Sequence, residues 1–106
     1  MMYKVIGTNT YLKEIEKWSK EDKETVQKLP NKLASNPYTG DQLSYKFLRE
    51  KRIGEKRVYY LIYDELELVL IVATSGKKDQ QATIDHIKEQ FEEYKEIAQK
   101  ISKQVS

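Results

Sequence analysis

Cysteine is absent from the chain, which excludes a disulfide framework, thiolate zinc sites and thiol nucleophiles and fits a reducing cytoplasm. Histidine occurs once, at His86, the only side chain that titrates near neutrality without perturbation. No long hydrophobic run is present. The longest, Leu68 to Ala73, is too short to span a bilayer, and the first residues lack a basic segment followed by an apolar stretch, so neither export nor membrane anchoring is expected. Asp64, Glu65 and Glu67 sit at a turn and a strand edge with no histidine nearby, a poor metal-ligand arrangement, and no metal or cofactor is expected.

What remains is a polar but strongly patterned chain. Its 106 residues fit one domain, 39% are hydrophobic and 34% charged, and the apolar residues recur with clear periods, which argues against general disorder. The net charge of +2 says little, but its distribution says more. Between Lys46 and Arg57 stand Lys46, Arg49, Lys51, Arg52, Lys56 and Arg57 against only Glu50 and Glu55, and Lys77 and Lys78 follow further on. That concentration is the footprint of a polyanion-binding surface.

The start, Met2 to Ile6, reads as a strand ending at Gly7. Tyr11, Leu12, Ile15 and Trp18 then recur at helical spacing, and the run from Glu21 to Ser35 reads as a second helix, kinked or divided near Leu29 by Pro30. The two form a hairpin closed by the loop Asn36-Pro37-Tyr38-Thr39-Gly40-Asp41. The period changes from Ser44 onward. Tyr45 to Ile53, Arg57 to Tyr63 and Leu66 to Ala73 read as three strands, joined by short links at Gly54-Glu55 and Asp64-Glu65 that force antiparallel pairing. Alternation puts Val58, Tyr60 and Ile62 on one face and Arg57, Tyr59, Leu61 and Tyr63 on the other, so Arg57 is expected outside the helix-packed core. The third strand, apolar on both faces, is expected to be central.

After Ser75-Gly76 the spacing is again helical. Ile84, Ile87, Phe91, Tyr94, Ala98, Ile101 and Val105 alternate steps of three and four residues, which predicts one extended helix over 79–103. Packing onto the sheet is the simplest use of this stripe, and its regularity also suits a homodimer seam. The fold class is therefore α+β, a single domain over 1–106 built as strand, helix hairpin, three-stranded antiparallel meander and long C-terminal helix.

That order resembles the RelE/ParE superfamily of toxin–antitoxin toxins. Arg52-Ile53-Gly54-Glu55-Lys56-Arg57-Val58-Tyr59-Tyr60 is similar to the family's Arg-Val-Gly-Asp-Tyr-Arg-Val-Ile-Tyr hairpin, and Thr74-Ser75-Gly76-Lys77-Lys78 stands where the family has a basic element after its last strand. The resemblance implies a metal-independent endoribonuclease that cuts mRNA, usually on the ribosome, and is held inactive by a cognate antitoxin in the cytoplasm. It implies Arg57 as the phosphate-clamping arginine and Lys77 and Lys78 as the basic position after the last strand, with Lys46, Lys51 and Arg52 on the strand that supplies further RNA-binding residues. The chain departs from the pattern near the start of its last segment, where the family's tyrosine or histidine is replaced by Thr83 and Ile84, and His86 lies close by without aligning.

Other readings compete with these. Arg57 on a strand also suits a pair with Glu50 or Glu55, lysines on an edge resist strand-to-strand aggregation, and His86 suits a helix surface. A non-nuclease of the same fold, acting on DNA gyrase as ParE-like proteins do or binding without chemistry, is the alternative function.

Overall fold

A computed structural model describes residues 2–105, with the side chain of Val105 outside the described part. Strand β1 (Lys4–Gly7) leads into helix α1 (Asn9–Glu16), followed by α2 (Lys20–Val26) and α3 (Leu29–Ser35). Thr8 caps α1 by accepting from the Tyr11 N–H, and Ser19 caps α2 by accepting from the Asp22 N–H, so each start satisfies a backbone donor that the helix leaves free. Pro30 stands in the first turn of α3, where its missing N–H costs nothing. The helix expected over 21–35 is thus two helices meeting near Leu29, one of the two arrangements the proline predicted.

Strands β2 (Asp41–Gln42), β3 (Leu48–Ile53), β4 (Lys56–Tyr63) and β5 (Leu68–Ser75) complete one sheet in the order β1-β5-β4-β3-β2. All pairs are antiparallel except β1 with β5, which is parallel; the long segment between them, three helices and then β2 to β4, lets the chain re-enter the sheet beside β1 in the same direction. The β3–β4 link is a two-residue turn with Gly54 at φ +60, a conformation glycine adopts without penalty. Between Tyr59 and Tyr60 the register with β5 slips by one residue. Val72 and Ala73 consequently pack on the same side of the sheet, as a bulge requires.

Two corrections concern the meander. β3 begins at Leu48, because a turn in which the Leu48 N–H donates to the Tyr45 carbonyl at 3.1 Å occupies the residues before it; Lys46 therefore lies off the strand. Asp41–Gln42, read as loop, adds the edge strand β2. Its approach depends on Gly40, where a Cβ would lie 2.6 Å from the Tyr60 hydroxyl and 2.8 Å from the Glu50 carbonyl. Tyr60, fully buried, donates to the Pro37 carbonyl at 2.8 Å and accepts from the Gly40 N–H at 3.0 Å, which pins this loop to the core.

Helices cover both faces. Tyr11, Trp18, Val26, Leu29 and Leu33 pack against Val58, Tyr60, Ile62, Val69 and Ile71 on one face, and each fully buried aliphatic side chain there stabilises by about 1.5–3 kcal/mol. Ile84 and Ile87 pack against Leu48, Tyr59, Leu61, Leu70 and Val72 on the other, with Phe91, Tyr94 and Ile101 at the margin. The C-terminal stripe is helical as read, but as two helices, α4 (Gln80–Glu89) and α5 (Phe91–Val105). Gln90 leaves the helical region at φ −104 and ψ 12; its N–H closes a tight turn on Ile87, and its carbonyl accepts from Tyr94 to start the next helix. Only one residue departs, so the apolar stripe continues across the break and the spacing conceals it. Phe91 at the junction joins Tyr45 and Phe47 in an aromatic cluster, with ring centroids 5.1–5.4 Å apart. Among the described residues no helix is long and apolar enough to cross a membrane.

At the β4–β5 turn, Asp64 accepts from the Tyr38 hydroxyl at 2.5 Å and the Tyr3 hydroxyl at 2.7 Å, tying the loop after α3 and the start of β1 to one carboxylate. These two donors hold Asp64 below its ordinary 3.8, and the same contact pushes Tyr38 up to about 12. A depressed carboxyl stabilises the fold above its unfolded-state value and loses that contribution as pH falls through the folded-state value. The stability gap between the wild type and Asp64→Asn, read from urea midpoints, should therefore be constant above about pH 5 and narrow below 3.8. A gap unchanged down to about pH 2 would contradict this role for the two hydrogen bonds.

Candidate functional site

The hairpin register builds the site. With Gly54 and Glu55 as the turn, Arg52 stands directly opposite Arg57, Glu50 opposite Tyr59, and on the other side of β4 Ser75 stands opposite Arg57. Alternation puts all five side chains on the face covered further along by α4 and α5. Arg57 was expected outside the helix-packed core, but it is 6% exposed, because this face carries a helical layer of its own.

A buried guanidinium needs a counter-charge. Glu50, itself 5% exposed, supplies it, with Arg57 Nε 3.0 Å from Glu50 Oε1. The Nε hydrogen has no hydrogen-bond acceptor among the described residues. The contact is thus an ion pair held by charge and proximity, without a directed N–H···O bond at this atom. Arg57 Nη1 donates to the Glu55 carbonyl at 3.4 Å, and Gln80, the first residue of α4, donates its amide to both Glu50 oxygens at 3.1 and 3.0 Å. The carboxylate is therefore gripped from the sheet by Arg57 and from the helix by Gln80.

Beside the pair, the Tyr59 hydroxyl and Ser75 Oγ are 2.9 Å apart and buried. Burial raises the Tyr59 hydroxyl above its ordinary value of 10.0, with a smaller opposing effect from Ser75, so it stays protonated at neutral pH. Lys77 and Lys78 follow Ser75 in the exposed loop before α4, where the Gly76 N–H donates to Asp79 Oδ1 at 2.8 Å.

Of the residues singled out in the sequence, the structure brings Arg52 and Arg57 into one row, with Lys77 and Lys78 just beyond it. It separates the others. Lys51 pairs with Val58 and lies on the opposite face. Lys46 is at the far end of β3, 5.6 Å from the Tyr38 ring, where Arg49 stacks at 5.0 Å. His86 is exposed on α4, roughly 120° around the helix from the side that carries Gln80, Ile84 and Ile87. Glu50 was foreseen only as a partner that would make Arg57 structural, although the two-residue turn already placed it diagonal to Arg57. Gln80 carried no sequence signal, and Ser75 stood in the basic element after the last strand without a role of its own. Among the described residues no group of three or more histidine, aspartate or glutamate side chains converges to hold a metal ion.

Comparison with solved structures identifies the architecture. An E. coli RelE toxin in the free state superposes with a TM-score of 0.70 at 16% identity, covering 84% of this chain and 98% of that one. This is the RelE fold. The RelE–RelB complex of Pyrococcus horikoshii gives 0.66 at 18% identity, with 73% and 97% covered, and the toxin–antitoxin complex RelBE2 of Mycobacterium tuberculosis gives 0.63 at 23%, with 73% and 100% covered. The sequence matches no family model and no curated protein. At 16–23% identity the likeness is one of fold, shared by 73–84% of this chain.

The buried pair gives a direct expectation. Glu50→Ala leaves Arg57 uncompensated and should cost about 3–5 kcal/mol in urea unfolding, whereas replacing both residues by Met should recover most of that loss. Equal destabilisation by the single and double variants would show that the two charges are not coupled.

Proposed function

We propose that this chain is the toxin of a toxin–antitoxin pair and acts in the cytoplasm as a metal-independent endoribonuclease on mRNA, with the ribosome presenting the substrate. The observation that carries this reading is the position of Arg57: it occupies the hairpin motif shared with RelE/ParE toxins, opposite Arg52 and Ser75, on a RelE fold. In such a reaction a ribose 2′-hydroxyl gives up its proton and attacks the adjacent phosphate, the bond from phosphorus to the 5′-oxygen of the next nucleotide breaks, and that oxygen leaves with a proton, giving a 2′,3′-cyclic phosphate and a free 5′-hydroxyl. Charge gathers on the phosphoryl oxygens, and a guanidinium fork matches them in shape and sign. Arg57 takes that role, Arg52 and the Lys77-Lys78 pair orient the neighbouring phosphates, and Lys46, Lys51 and His86, which lie elsewhere, contribute at most at a distance.

The closed state of Arg57 places a requirement on this chemistry. With the guanidinium 6% exposed, a phosphate reaches it only after the first turn of α4 lifts and Gln80 releases Glu50. A cognate antitoxin is the expected partner, in keeping with the RelE complexes that share the fold.

A second reading is a non-nuclease of this fold that inhibits DNA gyrase in the ParE manner or binds without chemistry. It draws on the same pair, because Glu50 already answers the Arg57 charge, and on the exposed, outward position of His86. Primer extension on mRNA from a reconstituted translation reaction containing chelator separates the two. The wild type should give codon-phased cuts, and Arg57→Ala should reduce them by about a hundredfold or more. Intact mRNA with the wild-type protein, together with altered plasmid supercoiling, would establish the second reading instead.

A further inference from the structure

The Arg57–Glu50 ion pair involves no lysine, and the lysines at the same end of the sheet stand without carboxylate partners. Three of them, Lys13 on α1, Lys17 at its C-cap and Lys56 at the start of β4, line a cleft of about 460 Å³ between α1 and the ends of β4 and β5. Lys13 and Lys17 are four residues apart and share one face of α1. Like charges at that spacing destabilise a helix slightly, so the arrangement gains nothing for the fold by itself.

Two carboxylates also line the cleft, and both are bound to the backbone at the end of β5. Glu14 Oε1 accepts from the Thr74 N–H at 3.1 Å, and Asp79 Oδ1 accepts from the Gly76 N–H at 2.8 Å. They reduce the positive field without pairing with the lysines. Trp18, 9% exposed and packed into the core, closes the wall of the cleft, so what the cleft offers a ligand is its cationic groups, the feature that tracks a single-stranded nucleic acid backbone.

Position adds the stronger argument. Lys56 and Arg57 are consecutive on β4 and point to opposite faces, and Ser75, opposite Arg57, also lines the cleft. The cleft and the Arg57 row are therefore two sides of one sheet end, joined over its edge by Gly76, Lys77 and Lys78. We infer that the Lys13–Lys17–Lys56 cleft is a second phosphodiester-binding subsite, which holds a flanking stretch of the RNA strand whose scissile phosphate lies at Arg57.

This inference rests on the RNA reading proposed above, but its test is independent of cleavage. The probe is a fluorescein-labelled single-stranded RNA of about ten nucleotides, 2′-O-methylated throughout so that no 2′-hydroxyl can attack, titrated with the full chain at several salt concentrations. Lys13→Glu/Lys17→Glu should weaken binding at least tenfold and flatten the logarithmic salt dependence by about 1.4, the equivalent of two phosphate contacts on a single strand. Lys13→Arg/Lys17→Arg should retain wild-type affinity, and Lys56→Gln should show about half the loss in slope. Lys13 and Lys17 are both exposed, so thermal melts of these variants should coincide with the wild type.

Wild-type affinity and slope in the Glu double variant would overturn the subsite, as would a wild-type chain that binds no RNA. So would a double variant that loses affinity for a poly-glutamate peptide and not for RNA, which would assign the cleft to an acidic polypeptide. Undiminished binding of the probe without cleavage of ordinary RNA would remove the nuclease reading and leave the subsite standing.

Discussion

The buried pair of Arg57 and Glu50 is the constraint around which the distal half of the fold is arranged. A guanidinium 6% exposed and a carboxylate 5% exposed are each unfavourable alone in that setting. Together they fix β3 against β4 on the face that α4 covers, and Gln80 brings the start of α4 to the same carboxylate. Such a pair seldom adds stability over a well-packed apolar substitute. What it adds to the Ile84 and Ile87 contacts is direction: Gln80 meets Glu50 at one place only, the first turn of α4.

The same arithmetic explains why the pair is suited to control. Moving α4 away exposes Glu50 and Arg57 together, so each regains water as it loses its partners. The opening is consequently less costly than exposing an equal apolar area, and the polar first turn of α4 is easier to lift than the Ile84 and Ile87 contacts further along. Gly76, partly exposed in the loop before α4, donates its N–H to Asp79, whose carbonyl in turn accepts from the Thr83 N–H and hydroxyl at the start of the helix.

Much of this architecture was legible in the sequence because period reports burial. Alternation divided Val58, Tyr60 and Ile62 from Tyr59 and Leu61, and the two groups do face separate helical layers. Pro30 marked the division near Leu29, and the doubly apolar β5 is central. The failures have a common cause: each is a feature set by tertiary contact. The edge strand β2 is two residues long and exists because Tyr60 holds the loop before it. The break at Gln90 preserves the stripe, so no period could reveal it. Arg57 was placed on the right face, but that face was taken as open, since a stripe on α4 shows that the helix packs somewhere without showing on which side of the sheet.

The site was legible to a lesser extent, for a related reason. Residues that act through register, such as Arg52 opposite Arg57, follow from the turn length and can be found in the sequence. Residues that act across elements cannot. Gln80 reaches Glu50 over a separation of thirty positions, and Lys13 meets Lys56 only because α1 packs beside the end of β5. Grouping by sequence therefore assigned Lys46, Lys51 and Arg52 to one cluster that the fold distributes over two faces and two ends of β3. The charges that do converge come from distant segments, α1, the β3–β4 hairpin and the loop after β5, and the sheet end is the one place where the topology brings all three together. A fold of this type can host different activities, so what distinguishes this chain is the arrangement at that end: one arginine enclosed with its counter-ion, and a set of lysines left without any.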